Sequence, residues 1–274
     1  LFTYAVLLTV FSTNGYIQAH YGVGHFSWGG YFVFPLFFYL MLRFSSGEDG
    51  WTWVAKVVFL LFYMVLAGSE HHFFWLLIWL GSFGLMNINR FKWIFYAGLF
   101  GGLVSAVRLL PPVLGIEGFS NEFTMFFGGF PNLLDIVNQM MILTPVRLGT
   151  LNSLSMAGVW EYDIYFGLIG TLFILYFGLF EWLKSTLYRD FILPSFLILF
   201  FSLGKVYSPL FNSHFPFLGA ERVPTRMVIV PIVVLILMAA IFFQKWLDQR
   251  NFSGREFLLF LLPLSFLLHD LYQH

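Results

Sequence analysis

Long apolar runs, separated by short polar connections, organise this chain from end to end. Runs such as FLLFYMVLAG and VIVPIVVLILMAAIFF lack the alternation of apolar and polar positions that strands of a membrane barrel need. A bilayer core of about 30 Å takes about 20 apolar residues per helix, with every backbone group bonded inside the helix. The pattern therefore predicts an all-α, polytopic transmembrane helical bundle of about nine spans. The predicted spans cover residues 1–13, 27–43, 51–67, 71–88, 93–110, 163–182, 190–204, 226–246 and 256–272.

We expect one transmembrane domain over residues 1–274, with its first helix incomplete. The run LFTYAVLLTVF begins at Leu1 without a methionine and without the basic region that opens a signal peptide. This start predicts that the numbering begins inside a longer protein.

Residues 111–162 form the one long connection, and its middle is amphipathic. The helical spacing of its apolar residues predicts a helix near 131–143 that lies flat in the membrane interface and covers a cavity. The predicted apolar face holds Leu133, Ile136, Val137, Met140 and Met141, and the polar face holds Asn132, Asp135, Asn138 and Gln139.

Composition agrees with a membrane protein. The chain is 59% hydrophobic and 10% charged, whereas soluble domains are about a quarter charged. Its 14 basic and 14 acidic residues cancel, so nothing favours a nucleic acid partner. With no cysteine, the chain has no disulfides, thiolate metal sites or thiol nucleophiles.

The positions of the basic residues predict which connections face the cytoplasm, where Lys and Arg accumulate. Connections after the second, fourth, sixth and eighth predicted helices carry most of them, and the first two opposite connections carry none. The connections predicted to be cytoplasmic hold Arg43, Arg90, Lys92, Lys184, Arg189, Lys245, Arg250 and Arg255. The hairpin at residues 14–26 and any reaction centre therefore face outward.

On the outward side, GSEHH (68–72) places Glu70 in the first turn of a helix. Glu70 is a candidate catalytic residue, and His71 is a candidate metal ligand, since a carboxylate and an imidazole suit a divalent metal. Consecutive helical residues diverge by about 100°, so the cluster cannot all reach one ion. Glu70 is equally explained as a carboxylate at the positive end of the helix dipole.

His25 lies in a glycine-rich hairpin and is a second candidate catalytic residue. A site shared with His20 requires the chain to bend at Gly22 and Gly24. The alternative is an ordinary turn at the interface, with Trp28 in the aromatic belt.

Three arginines on the outward side are candidate ligands for a lipid phosphate. Arg108 lies where positive charge is disfavoured, and a guanidinium fork matches phosphate. Arg222 and Arg226 stand four residues apart and would share one side of a helix, as a clamp. The alternatives are snorkelling of Arg108 to headgroups and a purely structural ion pair with Glu221.

Glu161 is a third candidate catalytic residue, beside Asp163 at the predicted start of the sixth helix. Either acid is also explained by the helix dipole.

Four segments resemble the GT-C superfamily of bacterial membrane glycosyltransferases, in particular its YfhO-like branch. These are NGYIQAHYGVGHFSWGGYFVFPL (14–36), SAVRLLPP (105–112), WEYDIYFGLIGTL (160–172) and ERVPTRMVIVPIVVLILMAA (221–240). The resemblance implies transfer of a sugar from a polyprenyl-phosphate carrier at the outer face of the bacterial cytoplasmic membrane. It also implies a catalytic acid in the first extracytoplasmic loop, which we expect upstream of Leu1. This chain is therefore expected to be a glycosyltransferase that uses that acid, or an inactive relative of one.

Two other classes remain open. A non-catalytic subunit of a respiratory or photosynthetic complex would use the 38 phenylalanines and 9 tryptophans for lipid, pigment and protein contacts. A transporter of lipids or solutes would place ionisable groups near the bilayer midplane, where Lys56 is the nearest candidate.

Overall fold

A computed structural model describes residues 2–115, 126–141, 158–213, 221–250 and 261–273. These residues form helices, turns and bends without a strand, as the all-α prediction requires. Much of the predicted long connection at 111–162, and the start of the ninth predicted span, lie outside the described residues. The helices are α1 (Phe2–Ser12), α2 (Gly15–Gly22), α3 (Phe34–Ser45), α4 (Trp51–Leu66), α5 (Glu70–Met86), α6 (Phe91–Gly115), α7 (Leu133–Met141), α8 (Gly167–Lys184), α9 (Ile192–Phe201), α10 (Gly204–Asn212), α11 (Ile229–Asp248) and α12 (Leu261–Gln273).

Three helical stretches have the length and apolarity needed to cross a membrane. They are Ile88–Pro111, Gly167–Lys184 and Pro224–Asp248. Their length and apolarity indicate a membrane protein. The other predicted spans contain shorter helices, and the count of nine stays a prediction.

The chain divides into two compact units. The first unit comprises Leu1–Gly24, Phe130–Leu187 and Ile232–His274, and the second comprises His25–Gly129 and Tyr188–Pro231.

The core of the second unit is built from aromatic rings. Trp79 on α5 stacks on Phe83 with ring centroids 5.1 Å apart, and meets Phe38 edge-on at 5.1 Å. Offset and edge-to-face contacts of this kind stabilise cores beyond the area they bury. Trp79 Nε1 donates a hydrogen bond of 3.4 Å to Ser195 Oγ, which ties α5 to α9.

One end of the second unit collects the connections with a predicted cytoplasmic position. Asp190 accepts hydrogen bonds from Ser45 Oγ and Asn87 Nδ2. Arg90 donates to the carbonyl oxygen of Phe44, and its guanidinium lies 4.3 Å from the centre of that ring. The ends of α3 and α5 and the start of α9 are therefore held together by polar contacts.

In the first unit, α8 packs closely against α11 through Gly178. The segment Ile174–Phe180 of α8 is a π-helix, which is rare outside single wide turns. A β-carbon at Gly178 would lie 2.3 Å from the carbonyl oxygen of Leu235 and 3.3 Å from the β-carbon of Ala239. Small residues permit this approach, as they do between membrane helices generally.

Gly178→Ala is expected to destabilise the protein by about 1–3 kcal/mol, because a backbone atom of α11 must move to admit the methyl group. Thermal unfolding in detergent measures the change. Gly81→Ala on α5 is the matched control: nothing lies within 4 Å of its added β-carbon, and alanine is the better helix former. Equal melting temperatures for Gly178→Ala and the wild type would contradict the close packing.

Two short helices, α2 and α10, were not predicted from the sequence. Asn14 explains the start of α2, because its side chain accepts a 3.4 Å hydrogen bond from Ile17 N and donates one of 2.6 Å to the carbonyl of Phe11. An asparagine cap of this kind satisfies backbone groups that a short helix leaves unpaired. After Gly22 the chain turns at Gly24, whose φ of 83° lies in the left-handed region.

The predicted amphipathic helix exists as α7, but Gln139 does not lie on an exposed polar face. Gln139 is fully buried, and no residue in the described ranges bonds its side-chain amide. The carbonyl of Met140 accepts hydrogen bonds from Thr171 Oγ1 (2.8 Å) and Phe166 N (2.9 Å). These bonds hold the C-terminal end of α7 against the start of α8. The burial of Gln139 contradicts its predicted place on a polar face, and the interfacial position of α7 stays a prediction.

Candidate functional site

Trp28 is the centre of a cluster of ionisable and aromatic side chains in the second unit. It belongs to the 3₁₀ segment Phe26–Val33 and is 3% exposed. Its ring centre lies 6.1 Å from His25, 5.6 Å from His71 and 4.8 Å from His72. We call these four residues, with Trp75, Glu221 and Arg226, the Trp28 cluster.

Ser69 fixes the hairpin that carries Trp28 against the start of α5. Its hydroxyl accepts a 2.8 Å hydrogen bond from Gly30 N and donates to the carbonyl of Ser27. A β-carbon at Gly30 would lie 2.4 Å from that of Ser69, so only glycine allows the approach. Ser69 is the N-cap residue of α5, but its side chain bonds the hairpin and not the helix.

Glu221 is the carboxylate of the cluster. Its Oε2 accepts hydrogen bonds from His71 Nδ1 (2.9 Å) and Trp75 Nε1 (3.2 Å), and its Oε1 accepts one from Val223 N (3.1 Å). The side chain of Glu221 is 5% exposed, whereas that of His71 is 44% exposed. A buried carboxylate thus orients a ring that water reaches.

The environment keeps Glu221 ionised. Burial alone raises its pKa, but the charge and hydrogen bond of His71, the charge of Arg226 and the Val223 amide together hold the pKa below the usual glutamate value. Nearby cations and donated hydrogen bonds favour the charged form in this way. The same charge acts on Tyr207 of α10, whose pKa burial and then Glu221 raise.

The two arginines of ERVPTR rest on different aromatic rings. The Arg226 guanidinium carbon lies 5.2 Å from the centre of the Trp28 ring, and that of Arg222 lies 5.1 Å from Phe127. The helical stretch begins only at Pro224. Their predicted placement on one side of a helix is therefore wrong, because Arg222 precedes the helix. The carbonyl oxygen of Arg222 accepts a hydrogen bond from Phe127 N instead.

His72 and Thr225 add buried polar atoms that the cluster leaves unsatisfied. His72 lies among the rings of Trp28, Phe34 and Trp75. Across the described ranges, neither of its ring nitrogens nor Thr225 Oγ1 has a hydrogen-bond partner. Each such group costs about 1–3 kcal/mol, and unsatisfied buried groups call for a functional explanation.

Two predicted site residues stand apart from these contacts. Glu70 is half-buried and Arg108 is exposed. Neither makes an ion pair or hydrogen bond with another residue in the described part of the chain. Since α5 and α6 are joined by a short turn and pack together, Arg108 returns to about the level of Glu70. The catalytic role of Glu70 and the phosphate-binding role of Arg108 stay predictions.

The arrangement of the potential metal ligands does not support the predicted metal site at His71. Within the described ranges, no three His, Asp or Glu side chains lie together as a ligand set. His71, the predicted ligand, has Glu221 as its acidic partner.

Glu161 lies in the first unit, in a separate polar group. It is 7% exposed, its Oε1 accepts a 3.1 Å bond from Trp160 Nε1, and its Oε2 lies 3.9 Å from His20 Nε2. Because α8 begins at Gly167, Glu161 is not in its first turn and the predicted dipole explanation does not apply.

Asp163 and Asp270 bracket Tyr165 in the same unit. Tyr165 N donates to Asp163, and its hydroxyl donates to Asp270 at 2.7 Å. Burial, followed by the bond and charge of Asp270, raises the pKa of Tyr165. The tyrosine therefore stays a neutral donor that joins these acids.

No family model, curated protein or solved structure matches this chain. The chemistry of the site consequently rests on its own geometry and on the four sequence segments named above.

Proposed function

We propose that this chain is a membrane glycosyltransferase of the GT-C type, which moves a sugar from a polyprenyl-phosphate carrier to an acceptor. The observation that carries the proposal is the pairing of half-exposed His71 with buried Glu221, beside Arg226 on the Trp28 ring. The pair supplies a base and the arginine supplies a phosphate ligand, and these are the two groups that such a transfer needs.

His71 is the proposed general base. In the neutral form of His71, Nδ1–H donates to the ionised Glu221 and Nε2 carries the lone pair. A carboxylate that orients an imidazole in this way is a common arrangement for removing a proton from a hydroxyl. The acceptor hydroxyl gives its proton to Nε2, its oxygen bonds to the anomeric carbon, and the carrier phosphate leaves with the electron pair of the broken bond.

Arg226 is the proposed ligand of the leaving phosphate. Its guanidinium is permanently charged, and its planar fork bonds two phosphate oxygens at once. The Trp28 ring holds the guanidinium by a cation–π contact. Arg222 and Arg108 are proposed as further contacts along the carrier, with Glu70 and His25 at the border of the acceptor site.

The proposed setting is a bacterial cytoplasmic membrane with nine spans and the Trp28 cluster on the extracytoplasmic side. The bias of basic residues toward the opposite connections supports this orientation, and α7 would lie in the outer interface.

Binding of farnesyl phosphate, a short polyprenyl monophosphate, tests the role of Arg226. Calorimetry on the purified full chain in detergent should give a dissociation constant that Arg226→Ala weakens at least about tenfold, since hydrogen bonds to charged groups contribute about 1.5–3 kcal/mol. Arg226→Lys should fall between the two, because it keeps the charge and loses the fork.

Arg43→Gln is the matched control, since Arg43 pairs with Glu48 away from the cluster. Unchanged affinity in Arg226→Ala would refute phosphate binding at this site. Equal losses in Arg43→Gln would show that the effect is general electrostatics.

A further inference from the structure

A cavity of about 260 Å³ opens in the first unit between the last turns of α8 and α11. Its apolar wall is formed by Phe177, Phe242 and Trp246, and its polar wall carries Lys184 and Lys245. Neither the sugar chemistry nor the Trp28 cluster uses this cavity.

The charge of the cavity is positive. Lys184 Nζ lies 3.1 Å from Glu181 Oε1 and 3.8 Å from the centre of the Phe180 ring. Lys245 has no ion pair with any residue in the described ranges. Two lysines against one glutamate leave one positive charge among the lining residues. Beyond them, Arg250, with its guanidinium 4.5 Å from the Trp246 ring centre, and Asp248 at the end of α11 have charges that cancel.

The cavity lies at the C-terminal ends of two apolar helical stretches. Its two walls belong to Gly167–Lys184 and Pro224–Asp248, two of the stretches long and apolar enough to span a bilayer. Lys184 and Lys245 belong to connections on the predicted cytoplasmic side. Helix C-termini offer carbonyl groups and the negative end of the dipole, so an anion here must be held by the side chains.

We propose that this cavity binds the phosphate of an anionic phospholipid, with phosphatidylglycerol as the simplest case. Basic pockets between membrane helices on the cytoplasmic side recognise such headgroups. The apolar wall distinguishes a lipid from free phosphate, because an acyl chain can pack against Phe177 and Trp246. Phe180, which lies under Lys184 next to the lining, is 52% exposed and extends this apolar surface. This site is independent of the proposed glycosyltransferase function.

Native mass spectrometry of the full chain, released from mixed phosphatidylglycerol and phosphatidylcholine micelles, tests the proposal. The wild type should retain phosphatidylglycerol in preference to phosphatidylcholine. Lys184→Gln/Lys245→Gln should lower that preference about fivefold for each lysine, which corresponds to about 1 kcal/mol per charge. Both lysines are exposed, so the variant should fold, and its melting temperature verifies this.

Lys56→Gln/Lys92→Gln removes the same number of exposed charges from the second unit and should leave the preference unchanged. An unchanged preference in the cavity variant, or an equal loss in the control, would overturn the proposal. Inorganic phosphate is the second probe: if it displaces the retained lipid at millimolar concentration, the site recognises phosphate alone and the lipid assignment fails.

Discussion

Glu221→Ala is expected to destabilise the protein by about 3 kcal/mol. The change leaves two buried donors, Trp75 Nε1 and Val223 N, without their acceptor, and each such donor costs about 1–3 kcal/mol. The bond to His71 adds little to this sum, because that ring is 44% exposed and solvent weakens the pair. Thermal unfolding in detergent measures the loss.

Glu221 also predicts how stability depends on pH. Its pKa in the folded protein lies below the usual glutamate value, so its stabilising contribution is complete above the unfolded pKa of about 4.3 and is lost as the pH falls through the lower, folded value. The melting temperature of the wild type should fall in this acidic range, and Glu221→Gln should show a smaller fall.

Glu70→Gln is the control for both measurements, because Glu70 has no bonded partner in the described ranges. Its replacement should leave the melting temperature and the pH dependence of stability as they are in the wild type. If Glu70→Gln and Glu221→Gln behave alike, Glu221 is not the central carboxylate of the cluster.

Trp28→Ala is expected to cost about 3–5 kcal/mol, the usual range for truncating a buried tryptophan. Trp28 is 3% exposed and contacts three histidines, Trp75 and the Arg226 guanidinium, so its loss opens a cavity and releases the arginine. Trp28→Phe should cost less and retain part of the cation–π contact.

Trp51→Ala is the matched control for Trp28→Ala. Trp51 is 58% exposed although it stacks on Tyr96, so its removal should cost under about 1 kcal/mol, as exposed substitutions do. Equal losses for the two tryptophans would contradict a structural centre at Trp28.

The helices were largely predictable from the sequence because apolar runs in a membrane protein leave the backbone few alternatives. α4, for example, begins at Trp51 and ends at Leu66, against a prediction of 51–67. The helices α2 and α10 were missed because eight and nine residues are too few to give a membrane-span signal. The start of α2 depends on the cap that Asn14 supplies.

The candidate site was predicted only in part. Residue types at helix ends identified His25, His71 and Arg226, and the structure gathers these around Trp28. The sequence offered an arginine as the partner of Glu221, whereas the structure pairs Glu221 with His71, a residue 150 positions away in the sequence. No local pattern encodes such a contact. The sequence left open whether the hairpin lines a site or is an ordinary turn with Trp28 in an aromatic belt, because burial of a single ring cannot be derived from one sequence.

Gln139 shows the same limit on a smaller scale. Periodicity gave α7 correctly, yet the periodicity of one helix cannot reveal how much of its surface its neighbours cover. Leu133, on the predicted apolar face, is exposed, whereas Gln139, on the predicted polar face, is buried.

Sugar transfer in liposomes tests the central claim most directly. The full-length protein is reconstituted with a radiolabelled polyprenyl phosphate hexose and a crude membrane fraction as the source of acceptor, and loss of label from the carrier is followed. We predict transfer by the wild type and a fall of at least about a hundredfold in Glu221→Gln, as expected when a general base loses its orienting partner. Label that stays on the carrier with the wild type, or leaves it equally fast with Glu221→Gln, would contradict the claim.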